Sequence, residues 1–149
     1  MSFKPPFSSV TLGQYYCYKS SGHLNANDYL TWGAVTALNG ASINADELTL
    51  PKGQYLVEAA LAVDRTNGHT TVCEYRLELD GSLVGTTGAF DYFSSQTSGN
   101  ISCDSACTEF EIAEDTVLKV KIITATSNET TASTASTHDY SSVLIRRRS

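Results

Sequence analysis

The stretch ELTLPKGQYLVEAALAV, which runs from Glu47 to Val63, decides the fold class of this chain. A Pro-Lys-Gly break ends a short apolar piece, and an alternating run of residues then begins at Tyr55. One face of that run holds Tyr55, Val57, Ala59, Leu61 and Val63, and the other holds Leu56, Glu58, Ala60, Ala62 and Asp64. A period of two over this length predicts one long, half-buried β-strand.

The same period recurs through the rest of the chain. Residues 72–84 alternate on both sides of Asp80-Gly81, a dipeptide typical of tight hairpin turns. Alternating runs also cover residues 108–112, 116–124 and 140–145, and the upstream segments QYYCY and TWGAVTAL are strand-like. The polar segment over residues 125–139 predicts a long loop. About eight to ten short strands without helical periodicity predict an all-β sandwich or barrel.

The charge and length of the chain limit its function classes. The 149 residues are enough to bury the core of one domain, and they carry a formal net charge of −6. The run Arg146, Arg147 and Arg148 predicts a solvated basic tail, with an anchor onto an acidic partner surface as the alternative. Because the rest of the chain is acidic, general nucleic-acid binding is not expected.

Targeting signals are not evident in the sequence. No apolar run approaches the ~20 residues that a membrane-spanning helix needs, so membrane insertion is not expected. The start MSFKPPFSSV lacks the apolar region of a secretory signal, which favours synthesis in a cytosol. Cytosolic synthesis predicts free thiols, and a local Cys103–Cys107 disulfide is the alternative in an oxidising medium.

Motifs for catalysis or metal binding are weak. His138-Asp139 lies near Ser141 and Ser142, but adjacent strand residues point to opposite faces, so a catalytic triad is not expected. Glu109 and Glu111 share a strand face, and a solvated surface is the preferred interpretation of that pair. The sequence therefore predicts no enzyme and no cofactor. Candidate calcium ligands, should loops bring them together, are Asp104, Asp115 and Asp139.

Two aromatic groups are candidates for binding. Tyr15, Tyr16 and Tyr18 with Trp32 are typical of buried strand aromatics, with a sugar-stacking platform as the alternative. The second group lies in the segment AFDYFSSQTSGN, where we expect contact with another subunit or an outside ligand. Its members are Phe90, Tyr92 and Phe93.

Four stretches fit together as one pattern. NGASINADELTLPKGQYLVEAALAV has a glycine-x-tyrosine step, Gly53 and Tyr55, at the start of its long strand. YRLELDGSLV is a hairpin with Asp80-Gly81 at its tip, and TEFEIAEDTVLKVKI is a strand, turn and strand with Asp115 at the turn. HDYSSVLIRR, with Tyr140, reads as a closing strand.

This pattern resembles the jelly-roll globular heads of the tumour necrosis factor and complement-q superfamily, and more closely the versions of that fold in tailed-phage structural proteins. The resemblance covers residues 32–145, with Leu48 in place of the usual aromatic and Glu114 in place of the usual glycine. It implies an antiparallel jelly-roll sandwich that forms a homotrimer with apolar strands at the three-fold axis. Tyr55 is then expected at the core or at the three-fold seam.

The resemblance also implies binding rather than catalysis, by analogy of fold. The preferred hypothesis is a non-enzymatic virion structural protein, a trimeric decoration or fibre protein on a phage capsid or tail. Such a protein is made in the host cytoplasm and located in the virion. The alternatives are a receptor-binding tip that recognises a host-surface glycan or protein, and a secreted signalling or pattern-recognition head.

The predicted organisation is an extended N-terminal arm, residues 1–13, followed by a single domain, residues 14–149, that ends in the basic tail. The arm, the aromatic segment and the tail are expected to contact other virion proteins, capsid or tail, or a receptor. The candidate contact residues are Phe3, Pro5, Pro6, Phe90, Tyr92, Phe93, Arg146, Arg147 and Arg148.

Overall fold

The computed structural model describes residues 10–19, 23–65, 71–92, 99–102, 104–125, 129–131 and 141–148. Over these residues the ordered elements are β-strands, and no helix there is long and apolar enough to cross a membrane. The all-β prediction is confirmed. The strands are β1 (Val10–Tyr18), β2 (Thr31–Thr36), β3 (Ser42–Asn44), β4 (Glu47–Leu50), β5 (Gly53–Ala60), β6 (Ala62–Arg65), β7 (Thr71–Leu79), β8 (Ser82–Tyr92), β9 (Gly99–Ser102), β10 (Ala106–Ile112), β11 (Thr116–Ala125), β12 (Glu129–Thr131) and β13 (Ser142–Arg148).

Two five-stranded antiparallel sheets form the sandwich. Sheet A has the order β10-β5-β13-β1-β2, and sheet B has the order β3-β4-β11-β7-β8. Some strands that follow one another in the chain, such as β4 and β5 or β10 and β11, lie in opposite sheets. This repeated crossing is the connectivity of a jelly roll. A small sheet C, with the order β12-β6-β9, was not predicted from the sequence.

Apolar side chains from both sheets fill the space between them. In β11 the predicted alternation is confirmed, since Leu118, Val120 and Ile122 are fully buried while Lys119 and Lys121 lie on the opposite face. Full burial of a large aliphatic side chain contributes about 1.5–3 kcal/mol, so this core dominates the stability of the sandwich. Further fully buried members are Leu24, Leu30, Leu48, Leu50, Val57, Leu77, Val143 and Ile145.

The connection between β1 and β2 completes one edge of sheet B. Strand β4 pairs with β11 only over residues 116–118. Beyond that point the Asn27 N–H donates to the Ile122 carbonyl at 2.8 Å, and the Ile122 N–H donates to the Asp28 carbonyl at 2.8 Å. The Leu30 N–H continues the ladder to the carbonyl of Val120 at 3.0 Å. The segment therefore covers backbone groups that would otherwise form an open edge.

The long strand predicted over residues 55–63 is interrupted at Leu61. Strand β5 ends before this residue and β6 begins after it, and both Leu61 and Ala62 are buried. The prediction that Leu61 and Ala62 lie on opposite faces of one half-buried strand was therefore wrong. The physical reason is that side chains replace the strand ladder here. The Leu61 N–H donates to the Tyr75 hydroxyl and the Ala62 N–H donates to the Ser141 hydroxyl, each at 3.1 Å.

The hairpin of β7 and β8 turns at the predicted dipeptide. Asp80 and Gly81 have φ angles of 49° and 82°, the left-handed pair that a tight hairpin turn requires. In β8, Gly85 has a φ of 71° and lies so close to β10 that an added Cβ would be 2.1 Å from the carbonyl oxygen of Cys107. The Cys107 N–H donates to the Thr86 hydroxyl at 2.9 Å. The two sheets therefore meet along this side of the sandwich.

Both predicted chain ends differ from the structure. Strand β1 begins at Val10 and pairs with β13, so residues 10–13 are part of a strand rather than of an arm. Strand β13 continues through Arg148 and lies between β5 and β1, so the prediction of a basic C-terminal tail was wrong for these residues. The predicted loop over residues 125–139 also contains the short strand β12.

Candidate binding and assembly surface

The outer face of sheet A is the surface on which exposed apolar side chains and arginines come together. We use this name for the side chains of β1, β5, β10 and β13 that point away from sheet B. In β5, burial of Tyr55 and Val57 directs Leu56 outward, and in β13 burial of Ile145 directs Arg146 outward. The register continues this face into neighbouring strands. Its members include Val10, Leu12, Gln54, Leu56, Glu58, Glu109, Glu111, Leu144, Arg146 and Arg148.

Two cross-strand rows order this face. The first row runs Leu12, Arg146, Leu56 and Glu109 across β1, β13, β5 and β10. The next row runs Val10, Arg148, Gln54 and Glu111 across the same strands. A groove of about 470 Å³ follows these rows, and its lining includes Val10, Leu56, Glu109, Phe110, Arg146 and Arg148. The sequence alone did not predict this groove because the arginines were assigned to a tail.

The three arginines have different positions. The Arg146 Nη1 lies 3.3 Å from a carboxylate oxygen of Glu58 on the outer face. Arg147 points the other way, with its guanidinium 5.9 Å from the centre of the Tyr55 ring and its Nη2 donating to the Lys52 carbonyl at 2.7 Å. Arg148 is exposed at the end of β13. Arg146 and Arg148 therefore lie on the outer face, whereas Arg147 covers the end of the core.

Tyr55 is a core residue. Its ring is 3% exposed and packs against Phe110 at a centroid distance of 5.5 Å. Its hydroxyl donates to the Pro51 carbonyl at 2.6 Å. Burial raises the pKa of Tyr55, an effect that the positive charge of Arg147 partly opposes and the negative charge of Asp115 reinforces. Of the two predicted locations for Tyr55, the structure places it in the core.

The early aromatic residues divide between two faces. Tyr15 and Trp32 are buried and meet edge to face with ring centroids 6.0 Å apart. Tyr16 and Tyr18 stack at 6.0 Å on the outer face of sheet A. Tyr16 lies over Gly33, where an added Cβ would be 2.1 Å from a ring atom. One sugar-stacking platform of all four rings is therefore excluded, and the preferred prediction of buried aromatics holds for two of them.

The outer face of sheet B is charged and internally paired. Tyr29 donates to the carboxylate of Glu78 at 2.9 Å, and the Lys119 ammonium lies 4.7 Å from the centre of its ring. Lys119 also contacts Asp46 at 3.1 Å and Glu47 at 3.5 Å. Hydrogen bonding to Asp46 raises the pKa of Lys119. The sequence did not reveal this cluster because its members are far apart in the chain.

The candidate catalytic and metal residues do not form a site within the described residues. Ser141 is fully buried, and its hydroxyl oxygen accepts a hydrogen bond from the Ala62 N–H. Glu109 and Glu111 are exposed on the outer face of sheet A. In the described part of the chain, no group of three or more His, Cys, Asp or Glu side chains is placed to hold a metal ion. His138 and Asp139 lie outside the described residues.

The cysteines agree with the free-thiol prediction where they are described. Cys17 is a buried free thiol, and burial raises its pKa to about 12. Cys107 is also a free thiol, so the alternative of a Cys103–Cys107 disulfide is not present in this structure. Cys103 itself lies outside the described residues.

Several predicted partner contacts also lie outside the described residues. The backbone of residues 90–92 belongs to β8, but their side chains are not described, so a contact role for the aromatic segment stays a prediction. The same holds for Tyr140 as a fold-signature residue. The remaining contact candidates outside the described residues are Phe3, Pro5, Pro6 and Phe93.

Comparison with solved structures shows what the chain is similar to. The crystal structure of murine APRIL aligns with a TM-score of 0.62 at 12% sequence identity, covering 93% of this chain and 99% of that chain. The globular domain of the zebrafish complement 1qA protein aligns with a TM-score of 0.59 at 10% identity, covering 93% and 100% of the two chains. No protein-family model matches the chain, and no curated protein matches it.

The fold is a tumour-necrosis-factor-like jelly roll. The expected antiparallel jelly-roll sandwich is thereby confirmed. Because the sequence identities are low, the likeness extends to the fold and not to a ligand or a partner. Among the described residues, the outer face of sheet A combines exposed apolar side chains, a groove and unevenly distributed charge.

Proposed function

We propose that this chain is a non-enzymatic binding module that works as a homotrimer, assembled through the outer face of sheet A. The observation that carries the proposal is the exposed apolar surface of that face, where Val10 is 48% exposed and Leu12 is 42% exposed beside the groove. Apolar patches beside a groove favour burial against another chain. The paired charges around Tyr29 and Lys119 on the opposite sheet need no such cover.

A role in a phage virion, as a decoration or fibre protein on the capsid or tail, is the specific function that we propose for the trimer. Its support is the resemblance carried by the Gly53-to-Tyr55 step and the Asp80-Gly81 hairpin. The arginines no longer support anchoring through a basic tail, because Arg146 and Arg148 belong to β13. Made in the host cytoplasm, the trimer would be located in the virion.

The second candidate is a head that recognises an outside ligand, such as a host-surface glycan or protein or, in a secreted protein, a signalling or pattern-recognition target. The observation that favours it is the likeness to a globular domain of a complement protein. Both candidates use binding surfaces rather than catalysis, and they differ in whether the partner is the virus particle or a surface outside it.

The molar mass of the protein in solution tests the proposed homotrimer. We expect sedimentation to give a trimer at micromolar concentration and Leu12→Asp to give a monomer, because that residue lies on the outer face of sheet A. Leu83→Asp is the matched control, since Leu83 is 41% exposed but lies in β8 of sheet B. A wild-type chain that stays monomeric, or equal loss of assembly in both variants, would contradict the proposal.

Mixing the purified protein with virus particles that lack it separates the two candidate roles. Saturable binding to the particle without an effect on host adsorption supports the virion structural role. Binding to host cells without binding to the particle supports the receptor-recognition role. Turnover of a surface polysaccharide by the purified protein would exclude both roles.

A further inference from the structure

The charges on the outer face of sheet A are divided by strand. Glu109 and Glu111 lie on β10, at the edge of the sheet, and both are exposed. Arg146 and Arg148 lie on β13, at the centre of the sheet, in the same cross-strand rows as the two glutamates. Strand β5 separates the two pairs, and neighbouring strands are about 4.8 Å apart. Acidic and basic pairs are therefore held at separate places on one rigid surface.

Within the described part of one copy, the acidic pair of Glu109 and Glu111 makes no ion pair. Among the described residues, no ion pair includes Glu109 or Glu111, whereas Arg146 contacts Glu58 at 3.3 Å. The intervening positions of β5 are Leu56 and Gln54, which carry no charge. The exposed carboxylates of Glu109 and Glu111 thus lie on an edge strand, away from the Arg146–Glu58 pair.

We propose that Glu109 and Glu111 on β10 of one copy dock against Arg146 and Arg148 on β13 of the next copy, so that charge sets the register of the trimer. This inference rests on the trimer of the proposed function and names the contacts that align it. An edge strand that docks on the central strand of its neighbour makes a heterologous contact, and such contacts generate a closed ring when the rotation closes.

The groove suits an edge strand as its occupant. It has a volume of about 470 Å³, and its lining includes Val10 and Leu56 beside the arginines. Burial of these apolar side chains provides the affinity, since area removed from water is the main favourable term in association. The charged pairs contribute alignment, because a misplaced like-charge contact in an interface costs several kcal/mol.

Charge reversal tests the inference. We expect E109K/E111K and R146E/R148E each to weaken trimer formation at least about tenfold, because each double variant places like charges against one another. The quadruple variant E109K/E111K/R146E/R148E should regain the trimer, since the charges on its β10 and on its β13 are both reversed and are again opposite in sign. Sedimentation and native mass spectrometry measure the assembly, and circular dichroism confirms that each variant is folded.

A mixing experiment adds specificity. Wild-type and quadruple-variant chains should each form trimers but should not form mixed trimers. In a mixed trimer, the β10 positions 109 and 111 of one copy would meet β13 positions 146 and 148 of the same charge sign. Reversal at Arg146 also places a glutamate beside Glu58 within one copy. The single variants E111K and R148E therefore form a second test in which Arg146 is unchanged. Each single variant should weaken the trimer, and the double variant E111K/R148E should restore it.

The outcomes distinguish this inference from the proposed function. If the charge-reversed variants remain trimers while Leu12→Asp becomes a monomer, the charge pairing is wrong and the assembly surface stands. A folded quadruple variant that fails to regain the trimer, or free mixing with the wild type, also overturns the pairing. If the wild type has the mass of a dimer, the proposed closed ring of three copies is wrong. A wild-type monomer overturns the proposed assembly itself.

Discussion

The hydroxyl oxygen of Tyr75 lies 3.1 Å from the backbone nitrogen of Leu61, at the point where β5 ends and β6 begins. The same hydroxyl lies 2.9 Å from the carbonyl oxygen of Ala59 and 2.7 Å from that of Asp104. One fully buried side chain in sheet B therefore contacts both the end of β5 in sheet A and Asp104, two residues before β10. We expect the break between β5 and β6 to depend on this hydroxyl.

Tyr75→Phe tests that dependence. Removal of the hydroxyl leaves the Leu61 N–H without its partner in a buried position, so we expect a loss of about 1–3 kcal/mol in the free energy of unfolding. Urea denaturation followed by circular dichroism measures the change. A loss within experimental error would mean that the break in β5 does not need the tyrosine hydroxyl.

Gly85→Ala should destabilise the protein more than Gly81→Ala. Both glycines have a positive φ, 71° for Gly85 and 82° for Gly81, so alanine strains the backbone by about 1–2 kcal/mol at either position. At Gly85 the new Cβ would also be 2.1 Å from the Cys107 carbonyl oxygen, whereas nothing lies within 4 Å at Gly81. This overpacking adds about 1–3 kcal/mol. Thermal unfolding compares the two, and equal losses would contradict the close contact of β8 with β10.

Removal of residues 146–149 should abolish cooperative unfolding. The truncation deletes three of the seven residues of the central strand β13 and leaves residues 10–12 of β1 and 54–56 of β5 without their strand partners. A solvated tail would instead be dispensable, so near-ultraviolet circular dichroism of the truncated chain separates the two interpretations. Arg148→Gln is the control, because it keeps the backbone ladder and changes an exposed side chain, and it should alter monomer stability by less than about 0.5 kcal/mol.

Acid should weaken the connection between β1 and β2, because the carboxylate of Asp28 stabilises that segment. Desolvation raises the pKa of Asp28, but hydrogen bonds from Lys19 and from the Asn25 N–H outweigh it, so the net pKa is lowered. A lowered folded-state pKa contributes stability above the unfolded-state value, and that contribution is lost as the pH falls through the folded value. Between neutral pH and about pH 2, the wild type should therefore lose more stability than Asp28→Asn. Parallel losses would contradict a stabilising carboxylate.

Cys17 should be inert to thiol reagents in the folded protein. Burial raises its pKa to about 12, so its thiolate is scarce near neutral pH and its sulfur is inaccessible. A variant with Cys17 as its one cysteine should be labelled only after addition of denaturant. Rapid labelling of the native variant would mean that sheet A opens around β1.

The sequence predicted most strongly where local chemistry alone decides the structure. The alternation around Leu118 and Val120 and the turn at Asp80-Gly81 depend on neighbours in the chain, and both were confirmed. The burial of Ala62 was missed because it depends on a hydroxyl from Ser141, which is distant in the chain. Periodicity predicts which side chains of a strand share a face, but it does not predict contacts from residues that are distant in the chain.

The assembly surface was harder to predict for a related reason. A run of three arginines is typical of solvated segments, yet Arg146 lies opposite Leu56 and Leu12 in the centre of a sheet. Strand order determines that position, and strand order depends on pairings between distant segments. Exposed Glu109 and Glu111 were correctly assigned to a solvated strand face, but their alignment with the arginines appears only once β5 and β13 are paired.

The position of β13 has a consequence for biosynthesis. It is the last described strand to leave the ribosome, and it lies between β5 and β1, which are made much earlier. Sheet A therefore stays divided into two unjoined parts until translation has passed Arg148. Pairings between segments so distant in the chain form slowly. The nascent chain thus exposes unpaired strand edges throughout its synthesis, and its folding is completed only after β13 has emerged.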